Sequence, residues 1–203
     1  MNVVLLGVSG RVGSRVLSEL LQRGHKVTGI ARDTGKVAAR PGLAPRNGDA
    51  NDPSQLTRLL EGHDAVLSAL KFATTDAAAL IGAVKASGVP RLLVVGGAGS
   101  LEVAPGKLLL NTPDFPAAWM PEAAGGLRFL DLLRAEPVLD WTFLSPSAEF
   151  DPGARTGRFR VGSDTLLADA NGRSWISMED YAIAFVDELE HPRHSRARFT
   201  VGY

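Results

Sequence analysis

The 203-residue chain contains no cysteine, which removes disulfides, thiolate nucleophiles and cysteine metal sites together. It has no excess charge of either sign. Its 22 Lys and Arg balance 22 Asp and Glu, so no whole-chain field exists to recruit nucleic acid or an anionic membrane. No apolar run approaches the roughly 18 residues of a membrane span. The opening MNVVLLGVSG lacks the basic start and long apolar stretch of a secretory signal, so it reads as structure. Aromatic residues make up only 6%, and Tyr181 and Tyr203 are the two tyrosines, so chemistry that needs a phenolic acid has few candidates. With hydrophobic content at 45%, the expectation is a soluble globular protein of the cytoplasm. The length favours a single domain, 1–203, with an elaborated edge over two complete ones.

What the sequence does have is alternation of short apolar runs with helical stretches, the pattern of βα units in which helices cover both faces of a parallel sheet. Val3 to Gly7 reads as a buried strand. Arg11 to Arg23 then spaces Val12, Val16, Leu17, Leu20 and Leu21 at helical intervals, and Gly24 ends that helix. Strands are expected at Lys26–Ala31, Ala44–Asn47, Asp64–Leu70, Arg91–Val95 and Trp141–Ser145. Helices are expected at Pro53–Glu61, with Asp52 as its cap, and at Asp76–Ser87 and Glu122–Arg134. Gly97 to Pro121, rich in Pro and Gly among Leu, Phe and Trp, reads as a long ordered loop of the kind that carries function. Leu166–Ala168 and Ser174–Ile176 flank Asp169-Ala-Asn-Gly172 like a hairpin. Ser177-x-x-Asp180 resembles a capping box opening the helix Met178–Leu189, before a last strand at Arg196–Val201. The fold class is therefore a doubly wound, mainly parallel α/β sheet. Its expected division is a core over 1–145, a small lobe over 146–176, and a closing helix and strand over 177–203.

The sharpest signal is Gly7-Val-Ser-Gly10-Arg-Val-Gly13, set between the first strand and the first helix. Gly7 permits a tight turn, Gly10 lets an anion approach backbone N–H groups, and Gly13 lets helix and strand come close. A pyrophosphate would then sit on the helix N-terminus, held by Gly7, Ser9, Gly10, Arg11, Val12 and Gly13. About twenty residues on, where an acid would hold the ribose of NAD, the second strand ends in Ala31-Arg32-Asp33. Arg32, with Lys36 and Arg11, could surround a 2′-phosphate, which favours NADP. Asp33 is the competing signal for a bare ribose and keeps NAD open. Asp49, followed by Ala50 at the end of the third strand, could accept from the adenine amino group.

These residues resemble the atypical short-chain dehydrogenase/reductases of the NAD(P)H-binding, NmrA-like family, and within it the NADH-flavin reductase branch. The resemblance runs through Asp64-Ala-Val-Leu-Ser-Ala69, Val94-Val-Gly-Gly-Ala98, Trp141-Thr-Phe-Leu-Ser-Pro146-Ser-Ala-Glu-Phe150 and Ile176-Ser-Met-Glu-Asp-Tyr-Ala182. A more distant similarity, through Thr156-Gly-Arg-Phe-Arg160, is to the biliverdin-IXβ reductases, which reduce flavins. The resemblance implies that Ala69, Leu70, Lys71, Gly96, Gly97, Pro146, Ser147 and Ala148 line the nicotinamide end of the cofactor.

Two departures shape the expected chemistry. The Tyr-x-x-x-Lys acid/base pair of ordinary short-chain dehydrogenases is absent from Glu122–Arg134, and Ser147 stands where the biliverdin reductases carry a His. Epimerisation and dehydration need such a pair. Hydride transfer to a planar, charge-delocalising acceptor such as a flavin, a quinone or a bilin does not. Phe72, Phe115, Trp119, Met120 and Phe150 are candidates for a flat apolar slot beside the nicotinamide. Ser100 is the first candidate for a proton-relaying hydroxyl and Ser147 the second. The histidines at 25, 63, 191 and 194 read as solvated residues of helix ends and turns. The expected partner is a small planar acceptor, with monomer or homodimer left open. A non-catalytic sensor of the dinucleotide that binds a partner protein is the alternative, and an epimerase or dehydratase the weaker one.

Overall fold

A computed structural model describes residues 1–35 and 37–203. Its first half alternates β1 (Asn2–Leu6), α1 (Arg11–Gln22), β2 (Lys26–Ala31), β3 (Leu43–Asn47), α2 (Pro53–Leu60), β4 (Ala65–Ser68), α3 (Ala77–Ala86) and β5 (Arg91–Val95). A short hairpin, β6 (Glu102–Ala104) and β7 (Lys107–Leu108), precedes α4 (Met120–Arg134) and β8 (Asp140–Ser145). The chain closes with β9 (Glu149–Asp151), β10 (Arg160–Gly162), β11 (Trp175–Ser177), α5 (Met178–Glu190) and β12 (Ala197–Gly202). No described helix is long and apolar enough to cross a membrane.

Eight strands form one sheet in the order β10-β12-β8-β5-β4-β1-β2-β3, a Rossmann-like arrangement in which only the β10–β12 pair is antiparallel. Burial on both faces explains why the inner strands read as unbroken apolar runs. Val3 and Leu5 of β1 pack with α1 and α5 on one face, and Val4 and Leu6 pack with α2, α3 and α4 on the other. From β1, the chain winds outward to β2 and β3 on one side and to β4 and β5 on the other. The C-terminal ends of β1, β2 and β4 therefore open a crevice at the point where the winding reverses.

The helix starts follow local chemistry. Asp52, Asp76 and Ser177 each accept a hydrogen bond from the backbone N–H three residues on and so cap α2, α3 and α5. Helix α1 differs: it starts after Gly10 without a side-chain cap and without an acid in its first turn. The Ser177 box is only half formed, because the Asp180 carboxylate turns to Thr156 and Gly157 while the Tyr203 hydroxyl accepts from the Ser177 N–H.

Two expectations change in detail. The 97–121 segment is not irregular throughout: it holds the β6–β7 hairpin and three short 3₁₀ turns, and α4 starts at Met120 because Pro121 suits a first helical turn. The 169–172 turn forms, with Asp169 and Arg173 bonded across it, but no hairpin surrounds it. Instead Trp175–Ser177 pairs in parallel with Glu149–Asp151, a better-placed strand from the segment after β8. At the margins of the main sheet, β10 is three residues long and β3 carries Pro45.

Candidate functional site

The crevice at the reversal point is a cleft of about 250 Å³. Leu6, Gly7, Ser9 and Gly10 form its floor at the end of β1, and Ile30, Ala31 and Arg32 enter from β2. Gly48 to Asn51 follow β3, while Ala69, Leu70, Lys71, Thr74 and Thr75 follow β4 and form the opposite wall. A second cleft of about 300 Å³ lies behind α1, lined by Ser18, Glu19 and Arg155 among others. Its charged residues are already paired with one another.

The glycine turn is required by its geometry. Gly7 has φ +77°, and a Cβ there would lie 2.6 Å from the Ala69 carbonyl oxygen. A Cβ on Gly13 would lie 2.1 Å from the Gly7 carbonyl oxygen, so only glycine lets α1 approach the strand this closely. The Gly10 N–H donates to the same carbonyl at 2.9 Å and closes the turn. The first N–H groups of α1, which follows the cleft-lining Gly10, have no side-chain cap of their own.

Charge around the cleft is positive and open. Arg32 and Lys71 are exposed and form no ion pair among the described residues. Asp33 is not among the cleft-lining residues, and its carboxylate accepts from the Gly35 N–H at 2.8 Å. Asp49 lines the cleft and accepts from the Asn51 N–H at 2.9 Å. Asn51, which the sequence reading passed over, staples two walls: its Nδ2 donates to the Thr74 carbonyl at 2.9 Å and its Oδ1 accepts from the Asp76 N–H at 3.0 Å. The β4 wall is also held from α4, where the Glu122 carboxylate accepts from the Phe72 and Ala73 N–H groups at 2.8 and 2.9 Å. Lys36 lies outside the described residues.

Residues 7–192 match the model of a family described as NAD(P)H-binding. The chain belongs to the NAD(P)H-binding family. It is 41% identical to YwnB of Bacillus subtilis, an uncharacterized protein, over 99% of this chain and 98% of that one. A solved structure from Bacteroides thetaiotaomicron, described as an epimerase, is 41% identical with a TM-score of 0.95, over 100% of this chain and 96% of that one. Another, from Streptococcus pneumoniae and described as an NADH-flavin reductase, is 34% identical with a TM-score of 0.87, over 100% of this chain and 99% of that one.

For a member of this family, the fit of a dinucleotide can be tested against the turn itself. It passes: the turn is stripped of side chains at Gly7 and Gly10, the start of α1 has no side-chain cap, and Arg32 and Lys71, without an ion pair among the described residues, stand at the cleft. The cleft brings together Gly7, Ser9, Gly10, Arg32, Asp49, Ala50, Ala69, Leu70 and Lys71 of the expected cofactor residues. Val12 and Gly13 lie just behind in α1, with Gly13 serving the close approach described above. Arg11, expected to assist Arg32 at a 2′-phosphate, has its guanidinium bonded to Asp151 at 2.7 Å.

The remaining expected site residues differ in burial and contacts. Gly96 is buried, and a Cβ there would meet the Phe143 ring at 2.4 Å, so this glycine serves the core; Gly97 beside it is half-exposed. Pro146 and Ser147 are buried, with the Ser147 hydroxyl donating to the Val201 carbonyl at 3.0 Å, while Ala148 is exposed. Ser100 is only 5% exposed, and both its hydroxyl and its carbonyl accept from Arg198.

The five apolar candidates do not form one slot. Phe72 is core on the α2–α4 face, 5.6 Å from Phe129 and 5.9 Å from Phe143, ring centre to ring centre. Phe150 packs on the opposite face, 4.7 Å from Tyr181. Phe115 is half-buried and Met120 exposed, and Trp119 is 61% exposed just ahead of α4. Nor are all the histidines solvated: His25 is 6% exposed with Nε2 2.9 Å from Glu190, His63 contacts Thr28, and His194 stacks on Phe199 beside Glu188.

Proposed function

We propose that this protein is an NAD(P)H-dependent oxidoreductase that passes hydride to a small planar acceptor such as a flavin, a quinone or a bilin-like molecule. The observation that carries this reading is the state of its two tyrosines. Tyr181 is wholly buried, with its hydroxyl donating to the Leu144 carbonyl at 2.6 Å, and burial pushes its pKa well above the ordinary phenol value. The Tyr203 hydroxyl is 2.7 Å from the Asp180 carboxylate and 2.8 Å from the Ser177 hydroxyl, and burial raises its pKa as well. Neither stands ready as a proton donor, which weighs against the epimerase and dehydratase readings despite the description of the Bacteroides relative. When bound, the reduced nicotinamide supplies the electron pair, and a delocalised acceptor needs little help from a protein acid.

The chain's own residues then bind and orient. The α1 amides and the glycine turn take the diphosphate, Asp49 and Ala50 border the adenine, and Lys71 with Gly97 and Ala148 extend toward the nicotinamide. NADP is favoured over NAD, because Arg32 lines the cleft and is open to a 2′-phosphate while Asp33 does not line it. Phe115, Trp119 and Met120, in and beside the 97–121 segment, are the surface offered to the acceptor. The test is an acceptor panel of FMN, riboflavin, quinones and bilins, with NADPH and NADH followed at 340 nm. Turnover of at least one acceptor is expected. Tight dinucleotide binding with no turnover on any acceptor would replace this reading with that of a sensor.

A further inference from the structure

Arg11 is the first residue of α1, so its side chain starts beside the open amides. Its Nη2 donates to Oδ1 of Asp151 at 2.7 Å, and the two side chains are 61% and 69% exposed. Asp151 comes from 140 residues downstream, and it is fixed there. It ends β9 opposite Ser177, and two residues later the Gly153 N–H donates to Glu179 at 2.7 Å. Glu179 in turn accepts from Arg15 of α1 at 3.1 Å. The segment is thus clipped to the helix carrying the anion-binding turn, which keeps the Asp151 backbone beside the helix start if the Arg11 guanidinium swings away. A fixed carboxylate at this spot opposes an anion at a helix N-terminus, and α1 carries no acid of its own in its first turn.

We propose that Asp151 is a built-in competitor of the cofactor phosphates for Arg11, and so sets how tightly this protein holds its dinucleotide. This inference rests on the dinucleotide reading of the turn. In the free protein Arg11 is neutralised by Asp151. To grip a phosphate oxygen it exchanges partners, and the carboxylate left behind repels the ligand. The exchange weakens binding and favours release, which suits a reductase that must discharge its oxidised cofactor at every cycle.

The experiment measures Kd for NADPH by calorimetry in the wild type, Asp151→Asn, Asp151→Ser, Arg11→Ala and the Arg11→Ala/Asp151→Asn double variant, each first checked for unchanged thermal unfolding. Because the pair is exposed, its removal should tighten NADPH binding by about three- to fivefold, equivalent to roughly 0.7–1 kcal/mol. That gain should fall below about twofold once Arg11 is gone, and it should shrink as salt is raised. Unchanged or weaker binding in both Asp151 variants overturns the proposal, as does an equal gain with and without Arg11, which would be a general charge effect. A wild type that binds neither NADPH nor NADH would instead strike the proposed function itself.

Discussion

Replacing Gly13 by alanine sets two effects of opposite sign against each other. In a helix interior, alanine is favoured over glycine by about 1 kcal/mol, so propensity alone would stabilise α1. Against this, the new methyl would lie 2.1 Å from the Gly7 carbonyl oxygen and 2.9 Å from its carbon, well over an ångström inside ordinary contact. The obstacle is backbone in a turn fixed by the positive φ of Gly7, so it cannot swing aside as a flexible side chain would. Overpacking of this kind costs about 1–3 kcal/mol, and rigidity puts Gly13 at the upper end. The net expectation is a loss of about 2 kcal/mol, which for a chain of this size lowers Tm by roughly 4–8 °C. Because α1 must retreat from the strand, its amides also move, and NADPH affinity should fall at least about tenfold. Gly82→Ala on α3 is the control: nothing lies within 4 Å of a Cβ there, so stability should rise by about 0.5–1 kcal/mol with unchanged affinity. Thermal unfolding and calorimetry on both variants suffice. A Gly13→Ala protein as stable as the wild type, still binding NADPH normally, would refute the reasoning.

Arg32→Ala should raise KM for NADPH about tenfold or more and leave NADH within about twofold, since a charge-assisted bond to phosphate is worth about 1.5–3 kcal/mol; equal effects on both would remove the 2′-phosphate assignment. Asn51→Ala unfastens the β3 and β4 walls and should raise KM for both cofactors several-fold with kcat unchanged, so steady-state kinetics showing no KM change would deny it a part in shaping the cleft. Tyr181→Phe deletes one buried hydrogen bond while the Leu144 carbonyl keeps the Gly96 N–H at 2.8 Å. It should cost about 1 kcal/mol of stability and leave kcat within about twofold, and a hundredfold fall would make this tyrosine a catalytic acid after all. For Asp180, burial by itself would raise the pKa, but the O–H groups of Thr156 and Tyr203 and the N–H groups of Gly157 and Thr156 outweigh it, so the folded value lies below the ordinary one. Its stabilisation is therefore complete above the unfolded carboxylate value of about 4 and is lost as pH falls through the lower folded value. Urea unfolding between pH 6 and 3 should show this loss, flattened in Asp180→Asn; an identical slope in the variant would reassign the acid sensitivity.

What was legible in the sequence was what is local. The run Val3–Leu6, the glycine turn and the cap at Asp52 each depend on residues a few positions apart, and each forms where expected. What was not legible is contact across the chain. The Asn51 staple joins residues 23 and 25 positions apart, and Asp151 reaches Arg11 across 140, with no local pattern to announce either. Phe72 and Phe150 read alike as aromatics of strand-end loops, yet they enter cores on opposite faces of the sheet. The hairpin expectation failed for the same reason: a turn dictates its own four residues, whereas the partner of Trp175–Ser177 was decided by the return of the chain after β8.

The margins of the main sheet bear on how copies of this protein meet. Pro45 interrupts the row of backbone donors along β3, and β10 ends after three residues, so neither border offers a template on which a neighbouring chain could extend the ladder. Growth of the main sheet by strand addition, a route from a wide parallel sheet to insoluble fibres, is thereby disfavoured at both flanks.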